Sequence, residues 1–116
     1  MAKIERFEDL HCWQEARQEA TNEGSFSRDY DMKSQIRRAA ISVMNNIAEG
    51  FGRFSRKEFI RFLEISFTSA IEVKSICYAA IDTKHWPVEV ATQIQERAER
   101  VKALNLGLIK YLTERV

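Results

Sequence analysis

A chain of 116 residues with 45% hydrophobic and 30% charged side chains is long enough to bury one core and too apolar to stay disordered. Its formal net charge of +1 excludes a globally basic nucleic-acid binder. The two cysteines, Cys12 and Cys77, lack CxxC or CxxH spacing, which points to buried thiols in a reducing compartment rather than a disulfide or metal pair.

One proline and four glycines leave little to interrupt long elements, so helices are expected throughout. The first helix is expected from Glu8–Asp9 to about Gly24, with Asp9 as a cap or first-turn acid. Leu10, Trp13, Ala16 or Arg17, and Ala20 recur there at helical spacing. Gly24-Ser25 reads as its stop. The second helix is expected from Asp31 to Glu49. Ile36, Ala40, Val43 and Ile47 form one apolar stripe and Ile41, Met44 and Ala48 a second, with Gly50 as the stop.

The third helix is expected to start at Ser55, where Ser55-Arg56-Lys57-Glu58 makes a capping box, and to run to about Asp82. Phe59, Phe62, Ser66, Ala70, Val73, Cys77 and Ala80 share one face. Ile60, Leu63, Phe67, Ile71 and Tyr78 widen it. His85-Trp86-Pro87 breaks the chain, and Pro87 suits the first turn of a fourth helix reaching the end. Val90 or Ala91, Ile94, Ala98, Val101, Leu104 or Asn105, Leu108 and Leu112 mark its stripe. Glu96 and Arg100 form an outward i,i+4 pair.

No strand alternation, repeat or linker interrupts this pattern. The expectation is an all-α, antiparallel up-and-down four-helix bundle, a single domain over residues 1–116. The apolar width of helices 2 and 3 calls for a second surface. That predicts a homo-oligomer whose interface uses Ile41, Met44, Ala48, Ile60 and Phe67, with a broad bundle core as the alternative. The N-terminus has no apolar leader and no apolar run approaches the ~20 residues of a membrane span, so a cytoplasmic location is expected.

Two segments resemble a known family. Gln35-Ile36-Arg37-Arg38-Ala39-Ala40-Ile41-Ser42, followed by Asn46-Ile47-Ala48-Glu49-Gly50, is one. Arg53-x-Ser55-x-Lys57-Glu58-Phe59-x-Arg61-Phe62-Leu63 is the other. They are similar to the bacterial four-helix-bundle proteins encoded in intervening sequences of 23S rRNA genes, and to the accessory variability protein of diversity-generating retroelements. Leu10-x-x-Trp13-x-x-Ala16 fits the first helix, and the likeness spans roughly residues 7–112. The chain departs from the pattern at Met44, where members often carry proline. It also departs at Thr68-Ser69, where glycine often precedes the serine, and at Phe26-Ser27, which replaces Phe-Pro. The resemblance implies a ring-like homopentamer. For the retroelement branch it also implies binding to nucleic acid and to a reverse transcriptase.

Charge is uneven along the chain. Residues 28–61 hold eight basic and four acidic side chains, whereas residues 62–116 hold seven of each. Lys33, Arg37, Arg38, Arg53, Arg56, Lys57 and Arg61 therefore form the candidate nucleic-acid-binding set, with Phe51 and Phe54 as aromatic neighbours. Guanidinium groups suit phosphate through paired planar hydrogen bonds. A purely structural reading stands beside it. In that reading Phe51 and Phe54 plug the bundle end, and Arg53 or Arg38 pairs with Glu49. Carboxylate and histidine patterns give no catalytic or metal constellation, and no cofactor is expected. The Arg6-x4-His11 spacing resembles that of some helical ribonucleases, so a small ribonuclease remains the third reading. An oligomeric nucleic-acid-binding or scaffold protein, not an enzyme, stands first. It would assist an RNA-processing or reverse-transcribing partner, and a protein-only assembly module is the alternative.

Overall fold

The computed structural model describes residues 5–22, 30–84 and 86–114. The expected stop at Gly24-Ser25, the loop residues Phe26 and Ser27, and His85 lie outside them. A 3-10 turn at Phe7–Asp9 precedes four α-helices: α1 His11–Asn22, α2 Tyr30–Phe51, α3 Arg56–Asp82 and α4 Val88–Glu114. Among the described residues there is no strand. Each helix packs on the next in the chain, and α4 returns to α1, so the four close into a ring in cross-section. The 27 residues of α3 and of α4 give each a length of about 40 Å, which sets the 48 Å long axis of the bundle.

Local chemistry explains most element boundaries. Phe7–Asp9 carries both acids of the predicted helix start, but Leu10 is extended (φ −74°, ψ 126°), so the regular helix begins only at His11. Ser55 caps α3 as expected, its hydroxyl accepting from the Glu58 amide at 3.3 Å. The reciprocal half of the capping box gives way to another contact, because the Glu58 carboxylate holds Arg61 instead. Pro87 lies one residue before α4, where its carbonyl accepts from the Ala91 amide.

Gly50 corrects the sequence reading. It is a buried residue inside α2, which runs on to Phe51. A Cβ there would lie 2.7 Å from Phe62 Cβ and 3.0 Å from Phe59, so the glycine permits close approach of α2 to α3 rather than ending the helix.

The core falls into two adjoining clusters. One joins Ile36, Ala39 and Ala40 of α2 to Val73, Ile76, Cys77 and Ala80 of α3, Trp86, and Ala91, Ile94 and Ala98 of α4. The other joins Leu10, and Cys12, Trp13 and Ala16 of α1, to Val43, Ile47, Leu63, Ala70 and Val101. Cys12 and Cys77 are free, buried thiols.

A polar thread crosses this apolar interior. Buried Asn105 donates from Nδ2 to Ser66 Oγ at 3.0 Å, and Ser66 donates to the Val43 carbonyl at 2.8 Å. The Ser42 and Ser69 hydroxyls meet at 2.9 Å nearby. These bonds tie α4, α3 and α2 in one register, since a slip would strand buried polar groups. Among the described residues no helix is long and apolar enough to cross a membrane.

Candidate functional site

The basic set divides into two groups. Arg53, Arg56, Lys57 and Arg61 gather where α2 turns into α3. Lys33, Arg37 and Arg38 lie on the first half of α2, with Arg38 about 20 Å along the helix from Arg53 at 1.5 Å per residue. Arg37 and Arg38 are exposed and Lys33 is half-buried. The seven candidate residues therefore form an end cluster and a separate flank of α2.

At the bundle end the turn is tightly pinned. The Gly52 amide bonds to the Ala48 carbonyl and the Arg53 amide to the Gly50 carbonyl. The Ser55 carbonyl then receives the Phe59 amide as α3 begins. Two of the four cations are engaged by their own chain. Arg53 pairs with Glu49 at 2.9 Å, as the structural reading expects, and Arg61 pairs with Glu58 at 3.2 Å. Both guanidinium groups also lie over the buried Phe62 ring, at 4.9 and 4.8 Å from its centroid. Arg56 and Lys57 are exposed and, among the described residues, form no ion pair.

The Arg61 guanidinium stabilises the Glu58 carboxylate. The pKa of Glu58 is held below the usual carboxylate value first by the hydrogen bond from Arg61 and then by the positive charges of Arg61, Arg53 and Lys57. Four cations facing Glu49 and Glu58 leave the end locally positive. A groove of about 640 Å³ opens beside it, lined by Arg56, Lys57, Ile60, Arg61, Leu112 and Thr113 among others.

The aromatic neighbours part company. Phe51 is half-buried and meets Phe59 edge-on, with centroids 5.9 Å apart, so it does plug the bundle end. Phe54 is 109% exposed and covers nothing. Sequence reasoning grouped the two because both flank the glycine turn. Only the turn geometry separates them.

The five expected interface residues are also dispersed. Met44 and Ala48 are half-buried against the chain's own core, whereas Ile41 is exposed. Phe67 is half-buried beneath the Lys102 ammonium, 5.4 Å from its ring centroid, and Ile60 lines the groove beside Leu112.

Other features escaped the sequence reading. Arg100 bonds not to Glu96 but across to Glu15 of α1 at 2.9 Å, where Arg97 joins it at 3.4 Å. The signal was two arginines three residues apart on α4, matched by Glu15 on α1. A further groove of about 350 Å³ lies between the start of α1 and the end of α4, lined by Leu10, Cys12, Leu104 and Leu108, with Asp9 and His11 at its edge. Cys12 offers no nucleophile there, because burial pushes its thiol up to about 12. Among the described residues no three His, Cys, Asp or Glu side chains come together as a metal-holding group.

Fold and site together define an all-helical four-helix bundle whose α2–α3 end is basic and aromatic. The chain belongs to the 23S rRNA-intervening sequence protein family, whose model matches residues 8–107. Its fold is similar to that of a crystal structure of a protein of unknown function from the S23 ribosomal protein family of Bacteroides thetaiotaomicron. The two are 23% identical over 85% of this chain and 95% of that chain, with a TM-score of 0.80. That likeness speaks to the fold alone. No curated protein matches the chain.

Proposed function

We propose that this protein is a non-enzymatic, homo-oligomeric scaffold of the cytoplasm that holds DNA or RNA through the α2–α3 end of each copy. The observation that carries the reading is the pair Arg56 and Lys57, exposed and, among the described residues, in no ion pair at a locally positive end. Such a site contacts phosphates and is indifferent to sequence, since nothing at the end offers a base-reading helix. Copies arranged around an oligomer turn a weak contact into a useful one. A ring of five is the count favoured by the family resemblance, and a reverse-transcribing or RNA-processing enzyme is the partner it suggests.

The up-and-down course of the helices belongs to the same proposal. Ser42 meets Ser69 while Val43 meets Ser66, and Ser66 meets Asn105 while Lys74 meets Glu99. Rising numbers on one helix against falling numbers on the next support antiparallel neighbours.

The test replaces Arg56 and Lys57 together with glutamine. Arg53 is left alone, because its ion pair and its place over Phe62 make it part of the fold. Nucleic-acid affinity is expected to fall with oligomer size unchanged. The dependence of log K on log salt should flatten by about 2 for each engaged copy on duplex DNA. Undiminished affinity at low salt removes the end from the binding surface. The protein-only reading has its own support in exposed Ile71, Tyr78, Val88 and Leu106. It predicts that neither this protein nor its variant binds nucleic acid.

A further inference from the structure

We propose that the Phe54 ring is a stacking platform for an unpaired base, so that the bundle end prefers single-stranded nucleic acid to duplex. This inference rests on the nucleic-acid reading above and adds the class of substrate to it. Three observations converge on it.

The first is exposure. Phe54 projects wholly into solvent, while every other phenylalanine near it has an internal task. Phe51 and Phe59 pack edge to face, and Phe62 is buried beneath two guanidinium groups. The fold therefore has no use for the Phe54 ring, and leaving it in water is unfavourable unless something covers it.

The second is pinning. The connection from Phe51 to Arg56 is four residues long and is held at both ends, by the Arg53 amide on Gly50 and by the Ser55 cap of α3. A ring presented on so short a connection loses little freedom when it is covered.

The third is charge. Arg56 and Lys57 follow within three residues and carry no ion pair among the described residues. An apolar face beside unneutralised cations matches a ligand with a flat π-surface between negative charges. A nucleotide with an unstacked base has that form. Duplex does not present it, because its bases face one another, and inserting the ring would require a base step to be unstacked. An anionic lipid surface shares the charge. However, a single ring offers far less apolar area than membrane-surface binding draws on.

The experiment measures fluorescence anisotropy with labelled oligo(dT) and oligo(rU) of about 20 nucleotides and with a mixed-sequence duplex of equal length, at low salt. Four proteins are compared: the natural chain, Phe54→Ala, Phe54→Trp, and the Arg56→Gln, Lys57→Gln pair. Because Phe54 covers nothing, all four should share one helical spectrum and one oligomer size. Phe54→Ala is expected to weaken single-strand binding by roughly tenfold or more and to leave duplex binding within about twofold. Phe54→Trp should keep single-strand affinity, with indole fluorescence quenched by oligo(dT). The glutamine pair should weaken both strands and duplex.

If the natural chain binds nucleic acid but Phe54→Ala changes neither form, or both equally, the stacking role is overturned and the phosphate reading survives. If the natural chain binds none of the three nucleic acids, both fall. Phe54-dependent binding to vesicles containing phosphatidylserine, without binding to oligonucleotides, would assign the ring to a lipid surface and overturn the proposal.

Discussion

Gly50 shows what one missing methyl does at the α2–α3 crossing. On an exposed helix face, glycine to alanine gains up to about 1 kcal/mol. Here the added Cβ meets Phe62 Cβ at 2.7 Å, and neither atom is the end of a flexible chain. Overpacking costs about 1–3 kcal/mol. Gly50→Ala should therefore destabilise, with a lower urea midpoint and an unchanged slope. Gly107→Ala is the control, because nothing lies within 4 Å of its Cβ and the propensity gain should appear as added stability.

Cys12 supplies a second test at this scale. Its folded pKa, about 12, lies above the ordinary 9.0, so the folded chain holds this proton the more tightly. That contribution is full below pH 9.0 and is lost as pH rises through the folded value. Native protein at pH 8 should resist iodoacetamide, whereas chain unfolded in urea should react at both thiols. Ready alkylation of the native protein would contradict the burial. Buried thiols were legible in the sequence, since each cysteine falls inside a predicted helix and neither has disulfide or metal-ligand spacing. The close approach at Gly50 was not, because a glycine after Glu49 carries the same local signal whether a helix stops or is crowded by its neighbour.

At the scale of elements, the helix ends separate what local chemistry decides from what packing decides. The start of α3 followed from Ser55, whose hydroxyl needs only its own next three residues. The α3 apolar face followed from period alone: Phe62, Ser66, Ala70, Val73, Cys77 and Ala80 are all buried, and Phe59 at its start is half-buried. The Arg100 pairing could not be read, because i,i+4 geometry offered Glu96 while Glu15 arrives from α1, 85 residues away. The end of α3 holds a residue that local propensity would not choose. Lys84 has φ 60° and donates its amide to the Ile81 carbonyl, in the left-handed position that usually takes glycine. A left-handed conformation costs a non-glycine residue about 1–2 kcal/mol. Lys84 is exposed and its side chain makes no ion pair among the described residues, so Lys84→Gly should stabilise by about 1 kcal/mol. A thermal melt should show the rise, which for a chain this size is a few degrees. A lower midpoint would mean that the side chain has work that the backbone does not reveal.

At the scale of the whole molecule, helix number and span were legible because the apolar period persists over 22 to 27 residues in α2, α3 and α4. The arrangement of the surface was less so, because period tells which side of a helix is apolar and not which partner covers it. Met44 and Ala48 are consumed by the chain's own core. A line on α3 stays partly open: half-buried Ile60 and Phe67 and exposed Ile71 and Tyr78 recur at steps of seven, four and seven and so share one flank. Ile71 and Tyr78 are 44% and 55% exposed. On α4, Val88 and Leu106, five turns apart, are exposed along a single line. The Lys74–Glu99 ion pair links the two helices, and Lys102 joins Glu99 from within α4. Self-association over these lines is the expected outcome, and it places the contact on α3 and α4 rather than on the second stripe of α2. Light scattering should report an oligomer, five copies by family resemblance. Ile71→Glu with Tyr78→Glu should release monomers that keep their helical spectrum. Ile41→Glu, on the exposed flank of α2, should leave the assembly intact. A natural chain that stays monomeric at micromolar concentration would end the oligomer reading. Dissociation by Ile41→Glu but not by the α3 pair would return the interface to the stripe first read from sequence.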